Sequence, residues 1–301
     1  MNVGLVGYGE VGKIFTSAFV EQNAGWVGAW DILMRDAAAA PAMKAHAAKA
    51  RVEAVGSMSA LTAKADVIIS AVTASQAGAV ADEAAKSIRP GTWFMDLNSC
   101  SPGVKQRSSE RIDGAGGRYV ESAVMTTVPG YGIRVPMLLG SRHASAFREL
   151  MSPFGLDMQI ADERVGVASA TKMCRSVMIK GLEAMVVESF TAARHYGVEE
   201  AVIASLQETF PGVDWERQAT YFFQRTIEHG RRRGEEMVEA AQTMREAGLT
   251  PWSAAGTAER QAWLADLAEA GVFGTRRDPG FARSADWRTE ADRILADPQP
   301  R

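Results

Sequence analysis

Short apolar runs alternate with amphipathic segments through the first half of the chain. Residues 2–6, 25–30, 51–55, 65–72, 91–97, 118–124 and 134–140 read as strands. Apolar positions recurring three and four residues apart predict helices after Gly12 and over 36–50, 58–64, 73–88 and 104–112. The run ADVIISAV at 65–72 is apolar without alternation, as in a parallel strand covered on both faces. Strands and helices in this order make a doubly wound parallel sheet. The pattern changes near residue 163. No strand signal follows, and 164–196 is one helical stretch of roughly 30 residues, or about 45 Å. Further helices are expected over 199–210, 214–229, 231–247, 253–270 and 285–296, with breaks at Pro211, Gly230, 248–251 and 271–280. The expected organisation is an α/β domain at 1–163 and an all-helical domain at 164–301, joined by the long helix.

The first turn carries chemistry. Gly7, Gly9 and Gly12 stand as G-x-G-x-x-G between the first strand and the first helix. Gly7 permits a tight turn, Gly9 leaves room for a pyrophosphate against the backbone, and Gly12 lets the helix pack on the strand. N–H groups of this turn and helix start, around Tyr8, Glu10 and Val11, then face the phosphates. The second strand ends in Asp31, 19 residues beyond Gly12, where a ribose-binding carboxylate belongs. The bland alternative is a glycine-rich turn in an unrelated α/β domain. Strand, helix, second strand and acid nevertheless all stand in the order of a Rossmann dinucleotide-binding domain. Asp31 would accept hydrogen bonds from a ribose diol and repel a 2′-phosphate, which favours NAD; Arg35 nearby keeps NADP open. Ligands of such sheets lie beyond the carboxyl ends of the strands. Residues 7–12, Asp31, Val72, Thr73, 98–101 and 124–127 are therefore expected to converge on one crevice.

Composition narrows the class. The 301 residues suffice for two domains with sizeable cores. The chain is 47% hydrophobic and 23% charged with a net charge of −3, and no basic stretch gives it a nucleic-acid footprint. No apolar run reaches the roughly 18 residues of a membrane helix, and a strand at residue 2 leaves no room for a signal peptide. Cys100 and Cys174 make no disulfide framework and fit a reducing cytoplasm. His46, His143, His195 and His229 are scattered, so no metal site is expected.

The long helix carries a second candidate site. On a 3.6-residue period, Lys172, Arg175, Ser176, Ile179, Lys180 and Glu183 share one face; Cys174, Val177, Met178, Gly181 and Met185 share the other, apolar face. The polar stripe is expected to face solvent or a ligand, and three cations with one acid suit an anionic substrate. A lysine in a cleft can hydrogen-bond a carbonyl or hydroxyl, and acts as a base if burial or a second cation lowers its pKa.

Four segments carry a resemblance: GLVGYGEVG at 4–12, ADVIISAV at 65–72, DLNSCSP at 96–102 and GVASATKMC at 166–174. Over most of its length the chain resembles the β-hydroxyacid dehydrogenases and 6-phosphogluconate dehydrogenase. The resemblance implies that Lys172 is the general acid–base on the substrate hydroxyl, that Asn98 contacts substrate and that Ser99 contacts the cofactor. Several positions depart from the family. Its Ser-Gly-Gly after the sixth strand is Met125, Thr126 and Thr127 here, so the substrate grip differs. Its asparagine four residues after the lysine is Ser176, with Arg175 beside it. Lys180 falls where 6-phosphogluconate dehydrogenase has a phosphate-contacting tyrosine, and a late family lysine falls near Glu235, with Arg233 close by. These departures mark a branch with its own helical C-terminal domain, to which the family's usual substrates do not carry over.

The resulting expectation is a cytoplasmic NAD(P)-dependent oxidoreductase that moves a hydride between nicotinamide and a small, anionic, β-hydroxy acid-like substrate. Lys172 exchanges the proton, Asn98 and Ser176 orient the substrate oxygen, Arg175 or Lys180 pairs with the anion, and the helical domain is expected to form a homodimer. One alternative is an imine reductase, a class that generally has an acid or tyrosine where Lys172 stands. Another is a non-catalytic dinucleotide sensor, for which Lys172 and the 98–101 loop would be incidental. The 231–233 arginine run reads as a solvated helix start, Tyr221, Phe222 and Phe223 as core or dimer contact, Cys174 as a packed residue, and Trp252 as a candidate for the cleft.

Overall fold

The computed structural model describes residues 1–297 and divides into two compact units, Met1–Met173 and a second that begins at Cys174. The division falls inside the long helix rather than at its start. In the first unit, strands β1 (Asn2–Val6), β2 (Trp26–Trp30), β3 (Glu53–Ala54), β4 (Val67–Ser70), β5 (Trp93–Asp96), β6 (Arg118–Val124), β7 (Met137–Gly140) and β8 (Met158–Asp162) form one sheet, ordered β3-β2-β1-β4-β5-β6-β7-β8. Helices α1 (Glu10–Glu21), α2 (Ala40–Lys49), α3 (Met58–Lys64), α4 (Ala77–Ala85) and α5 (Pro102–Gly114) connect the parallel strands. This is the doubly wound Rossmann-like arrangement, and its strand order reverses between β1 and β4. Period-two alternation sends Val3, Leu5, Val67 and Ile69 into one apolar cluster and Val6, Ile68 and Phe94 into another. A strand buried in both clusters cannot alternate with polar residues, which is why 65–72 reads as one apolar run.

Three local expectations are corrected. The strand foreseen at 134–140 starts at Met137 and runs antiparallel to β6, the single exception in the sheet. Residues 125–136 hold only the short 3-10 turn Gly132–Arg134, so no crossover helix is available to make that pair parallel. Beyond it, α6 (Ala144–Met151) and β8 extend the sheet where the pattern showed no element. The helix expected at 36–50 begins only at Ala40, because Asp36 Oδ1 accepts the N–H groups of Ala38 and Ala39 at 2.9 and 2.8 Å and holds a turn there. The strand expected at 51–55 shrinks to Glu53–Ala54.

Helix α7 (Val167–Tyr196) starts in the first unit and runs into the second, which adds α8 (Glu199–Thr209), α9 (Trp215–Glu246), α10 (Trp252–Glu269) and α11 (Trp287–Ala296). Phe190, Phe222, Phe223 and Trp287 lie in the core of this unit. The break expected at Gly230 is absent, since α9 runs straight through it. A Cβ at Gly230 would lie 2.6 Å from the Gln261 carbonyl oxygen on α10. The glycine permits a close helix crossing, at the modest helix-propensity cost glycine carries. The faces of α7 also differ from expectation. Met178 and Met185 are 73% and 62% exposed and Cys174 is exposed, whereas Ser176, Lys180 and Glu183 are buried. Lys180 and Glu183 turn inward because α9 supplies their counter-charges, while Arg175 and Ile179 of the same stripe stay exposed.

Candidate active site

Hydrogen bonds tie the carboxyl ends of β2, β1, β4 and β5 together. Gly7 sits at φ +92°, and its N–H donates to Trp30 O at 2.9 Å. A Cβ on Gly7 would lie 2.3 Å from Ala71 O, and one on Gly12 2.1 Å from Gly7 O, so neither position admits a side chain without movement. Nothing lies within 4 Å of the Cβ position of Gly9. No side chain caps α1 among the described residues, so the N–H groups of Glu10, Val11 and Gly12 are placed for an anion. Tyr8 N–H and Leu33 N–H donate to the two oxygens of Asp31 at 2.7 and 2.9 Å, which fixes that carboxylate at the end of β2. The open space over Gly9, the uncapped helix start and the anchored acid together fit a dinucleotide.

Across the crevice, Val72 N–H donates to Asn98 Oδ1 at 2.7 Å, Asn98 Nδ2 donates to Ser70 Oγ at 2.9 Å, and Asn98 N–H donates to Asp96 Oδ1 at 2.9 Å. Asn98 is only 4% exposed, and much of its amide joins β4 to β5. The next residue, Ser99, accepts a hydrogen bond of 2.5 Å from Lys172 Nζ. Asp31, the glycine turn, Val72, Asn98, Ser99 and Lys172 are thus linked within one unit. Thr73 is exposed beside Val72. Met125 follows β6, its N–H donating to Pro136 O at 2.9 Å, and Thr126 and Thr127 are exposed after it.

Behind this rim lies a layer that the sequence reading did not single out. Lys105 Nζ pairs with Asp96 Oδ1 at 2.9 Å, Tyr119 Oη donates to Asp96 Oδ2 at 2.8 Å, and Glu121 accepts the N–H groups of Gly166 and Ser169, both at 2.6 Å. All four of these side chains are fully buried. Burial alone would pull the Lys105 ammonium down, but Asp96, helped by Glu121, outweighs it and leaves the pKa raised. Burial, then the Asp96 charge, pushes the Tyr119 phenol well above its ordinary value. The available signal was a glutamate inside a mostly apolar strand, YVESAV.

In the helical unit, Lys180 Nζ pairs with Glu236 at 2.8 Å and donates to Ser176 Oγ at 3.1 Å, while buried Arg233 pairs with Glu183. Burial pulls the Lys180 ammonium down; Glu236 opposes this, and Arg233 and Arg232 add to it. Arg231 pairs with Asp266 and Glu269, and Arg232 with Glu236. The arginine run is therefore internally paired, and Arg233 is part of the interior rather than of a solvated helix start. Arg175 is exposed and makes no ion pair among the described residues. Trp252 is 82% exposed, and Tyr221 is half exposed while its two phenylalanine neighbours are buried.

Residues 2–133 match the family described as the NAD binding domain of 6-phosphogluconate dehydrogenase, and residues 193–264 match a domain of unknown function (DUF1932). The chain is similar to a conserved hypothetical protein from Sinorhizobium meliloti 1021. The two are 34% identical with a TM-score of 0.77, over 98% of this chain and 95% of that one. It is also similar to conserved protein MTH1747 of unknown function, whose own structure is described as similar to 3-hydroxyacid dehydrogenases. Here identity is 27% and the TM-score 0.68, over 89% of this chain and 99% of that one. Likeness to Mycobacterium tuberculosis 3-hydroxyisobutyrate dehydrogenase, 16% identical over 98% of this chain and 99% of that one with a TM-score of 0.70, is a likeness of fold. Fold and crevice define an NAD(P)-binding dehydrogenase or reductase. The chain belongs to the 6-phosphogluconate dehydrogenase-like superfamily of NAD(P)-dependent oxidoreductases, in a branch with a DUF1932 C-terminal domain.

Proposed function

We propose that this oxidoreductase interconverts a small, anionic hydroxy substrate and its carbonyl form, with Lys172 as general acid–base and NAD preferred over NADP. The observation that carries the reading is the 2.5 Å contact of Lys172 Nζ with Ser99 Oγ, on the loop that Asn98 ties to the cofactor-binding strands. Residues 7–12, Asp31, Val72, Thr73 and Ser99 would hold the dinucleotide. Its nicotinamide supplies or accepts the hydride when bound. Lys172 gives its proton to the substrate oxygen as a carbonyl is reduced, or takes one from the hydroxyl in the reverse direction. Ser99 holds the amine in place, and the remaining amide hydrogen of Asn98 is available to orient the oxygen. Asp31 favours an unphosphorylated ribose, and Arg35 lies over the Trp30 ring, 5.8 Å from its centroid. The roles assigned to Ser176, Arg175 and Lys180 rest on the sequence pattern; since Lys180 is paired with Glu236, Arg175 is the better partner for a substrate anion.

The test is a titration with NADH and NADPH, followed by a panel of hydroxy acids, keto acids, neutral alcohols and imines read by nicotinamide absorbance. Lys172→Ala should lower kcat by roughly 10²–10⁴-fold with NADH affinity unchanged. An unchanged kcat removes Lys172 from the chemistry. Turnover on imines alone would make the protein an imine reductase, and tight NADH binding without any turnover would make it a sensor.

A further inference from the structure

We propose that Asp96, Lys105 and Glu121 form a buried positioning network that sets the Lys172–Ser99 pair. The idea rests on Lys172 being the acid–base group. Glu121 lies on β6 opposite Gly140 of β7. Its two oxygens accept the N–H groups of Gly166 and Ser169, where α7 begins. A carboxylate there satisfies two N–H groups that the helix itself leaves unpaired and matches the positive end of the helix dipole. Lys172 follows three residues after Ser169, so the orientation of this first turn sets where its amine points. Space for the carboxylate comes from the strand opposite, where a Cβ on Gly140 would lie 2.4 Å from Glu121 Oε2.

Asp96 does the corresponding work for the serine. It ends β5, accepts Asn98 N–H and Tyr119 Oη, and so holds the turn that presents Ser99. Two buried carboxylates close enough to act on the same ammonium would be costly without a counter-charge. Lys105 provides it: Nζ sits 2.9 Å from Asp96 Oδ1, and the charge of Glu121 also favours its ammonium form. One arm of the network therefore places the helix that carries the amine and the other places the loop that carries the hydroxyl; a single ammonium is paired with Asp96 and also feels the charge of Glu121. None of the three acts on the substrate; each acts through Lys172 or Ser99.

The test compares wild type, Glu121→Gln and Gly140→Ala as full-length proteins. Gln keeps the size but turns an N–H group toward one of the two donors; Gly140→Ala displaces the carboxylate without changing charge. An amine-reactive acylating reagent is applied, and the labelling rate of Lys172 is read by mass spectrometry. The expected result is a change of about threefold or more at Lys172, as for a half-unit change in a lysine's acidity, while Lys13 and Lys44 label as in wild type and NADH affinity holds within about twofold. Phe147→Leu, a core truncation in the same unit, controls for stability: it should lower Tm and leave Lys172 labelling alone. Wild-type labelling of Lys172 in folded Glu121→Gln overturns the proposal; if that variant does not fold, Gly140→Ala decides. Labelling needs no substrate, so a failed network is distinguished from a failed oxidoreductase reading. Once a substrate is in hand, kcat should fall at least about tenfold in Glu121→Gln with the KM for NADH unchanged.

Discussion

Gly9→Ala separates the fold from the ligand it is built for. The position has φ −78° and ψ −155°, a conformation open to alanine, and its Cβ would meet no protein atom within 4 Å. Alanine is a poorer helix N-cap than glycine by somewhat under about 1 kcal/mol, while its stiffer unfolded chain returns about 0.4–1 kcal/mol. The two nearly cancel, so Tm should stay within a few degrees of wild type. Binding is another matter, because the new methyl occupies the space where a pyrophosphate would meet the first-turn N–H groups. Losing two hydrogen bonds to a charged phosphate, at about 1.5–3 kcal/mol each, costs about 3–6 kcal/mol. At about 1.4 kcal/mol per tenfold, NADH affinity should drop by about 10²–10⁴-fold. Thermal melts and NADH fluorescence titrations read the two quantities on the same samples. NADH bound by Gly9→Ala within about threefold of wild type would refute the placement of the phosphates.

Gly230→Ala should destabilise the helical unit by about 1–3 kcal/mol, since its Cβ would press on the Gln261 carbonyl; a urea melt with a wild-type midpoint would show that α9 and α10 do not cross there. The two buried lysines should carry opposite pH signatures. Lys105 holds its proton more tightly folded than unfolded, so its contribution is complete below the ordinary 10.5 and is lost as pH rises through the raised folded value. Lys180 holds its proton less tightly when folded, so between its lowered folded value and 10.5 the unfolded chain binds more protons, and stability rises with pH. The stability difference between wild type and Lys105→Met, and between wild type and Lys180→Met, measured in urea from about pH 8 to 11, should slope in opposite directions. Parallel slopes would contradict the assigned environments.

The sequence by itself determined the cofactor turn, the parallel strands from β1 to β6, the Asn98–Ser99 loop and Lys172 as the amine that belongs with them. The turn and the strands follow from local rules: a glycine whose Cβ would strike its own neighbours, a strand buried on both faces, an acid at a fixed distance along the βαβ unit; Asn98, Ser99 and Lys172 are singled out by the family resemblance. Only the tertiary structure decided that β7 runs antiparallel, that α9 continues through Gly230, and that Ser176, Lys180 and Glu183 of α7 turn inward. Helical periodicity shows that two faces of a helix differ, but not what lies against each. Ser176, Lys180 and Glu183 look like a solvated face until Arg233 and Glu236 arrive from α9, because burial of a charge is tolerable only when its counter-charge comes with it. Gly230 weakens a helix in isolation and suits one where a second backbone passes close by. Glu121 carries no motif at all; its role exists only because β6, Gly140 and the start of α7 meet, and no spacing along the chain encodes that meeting.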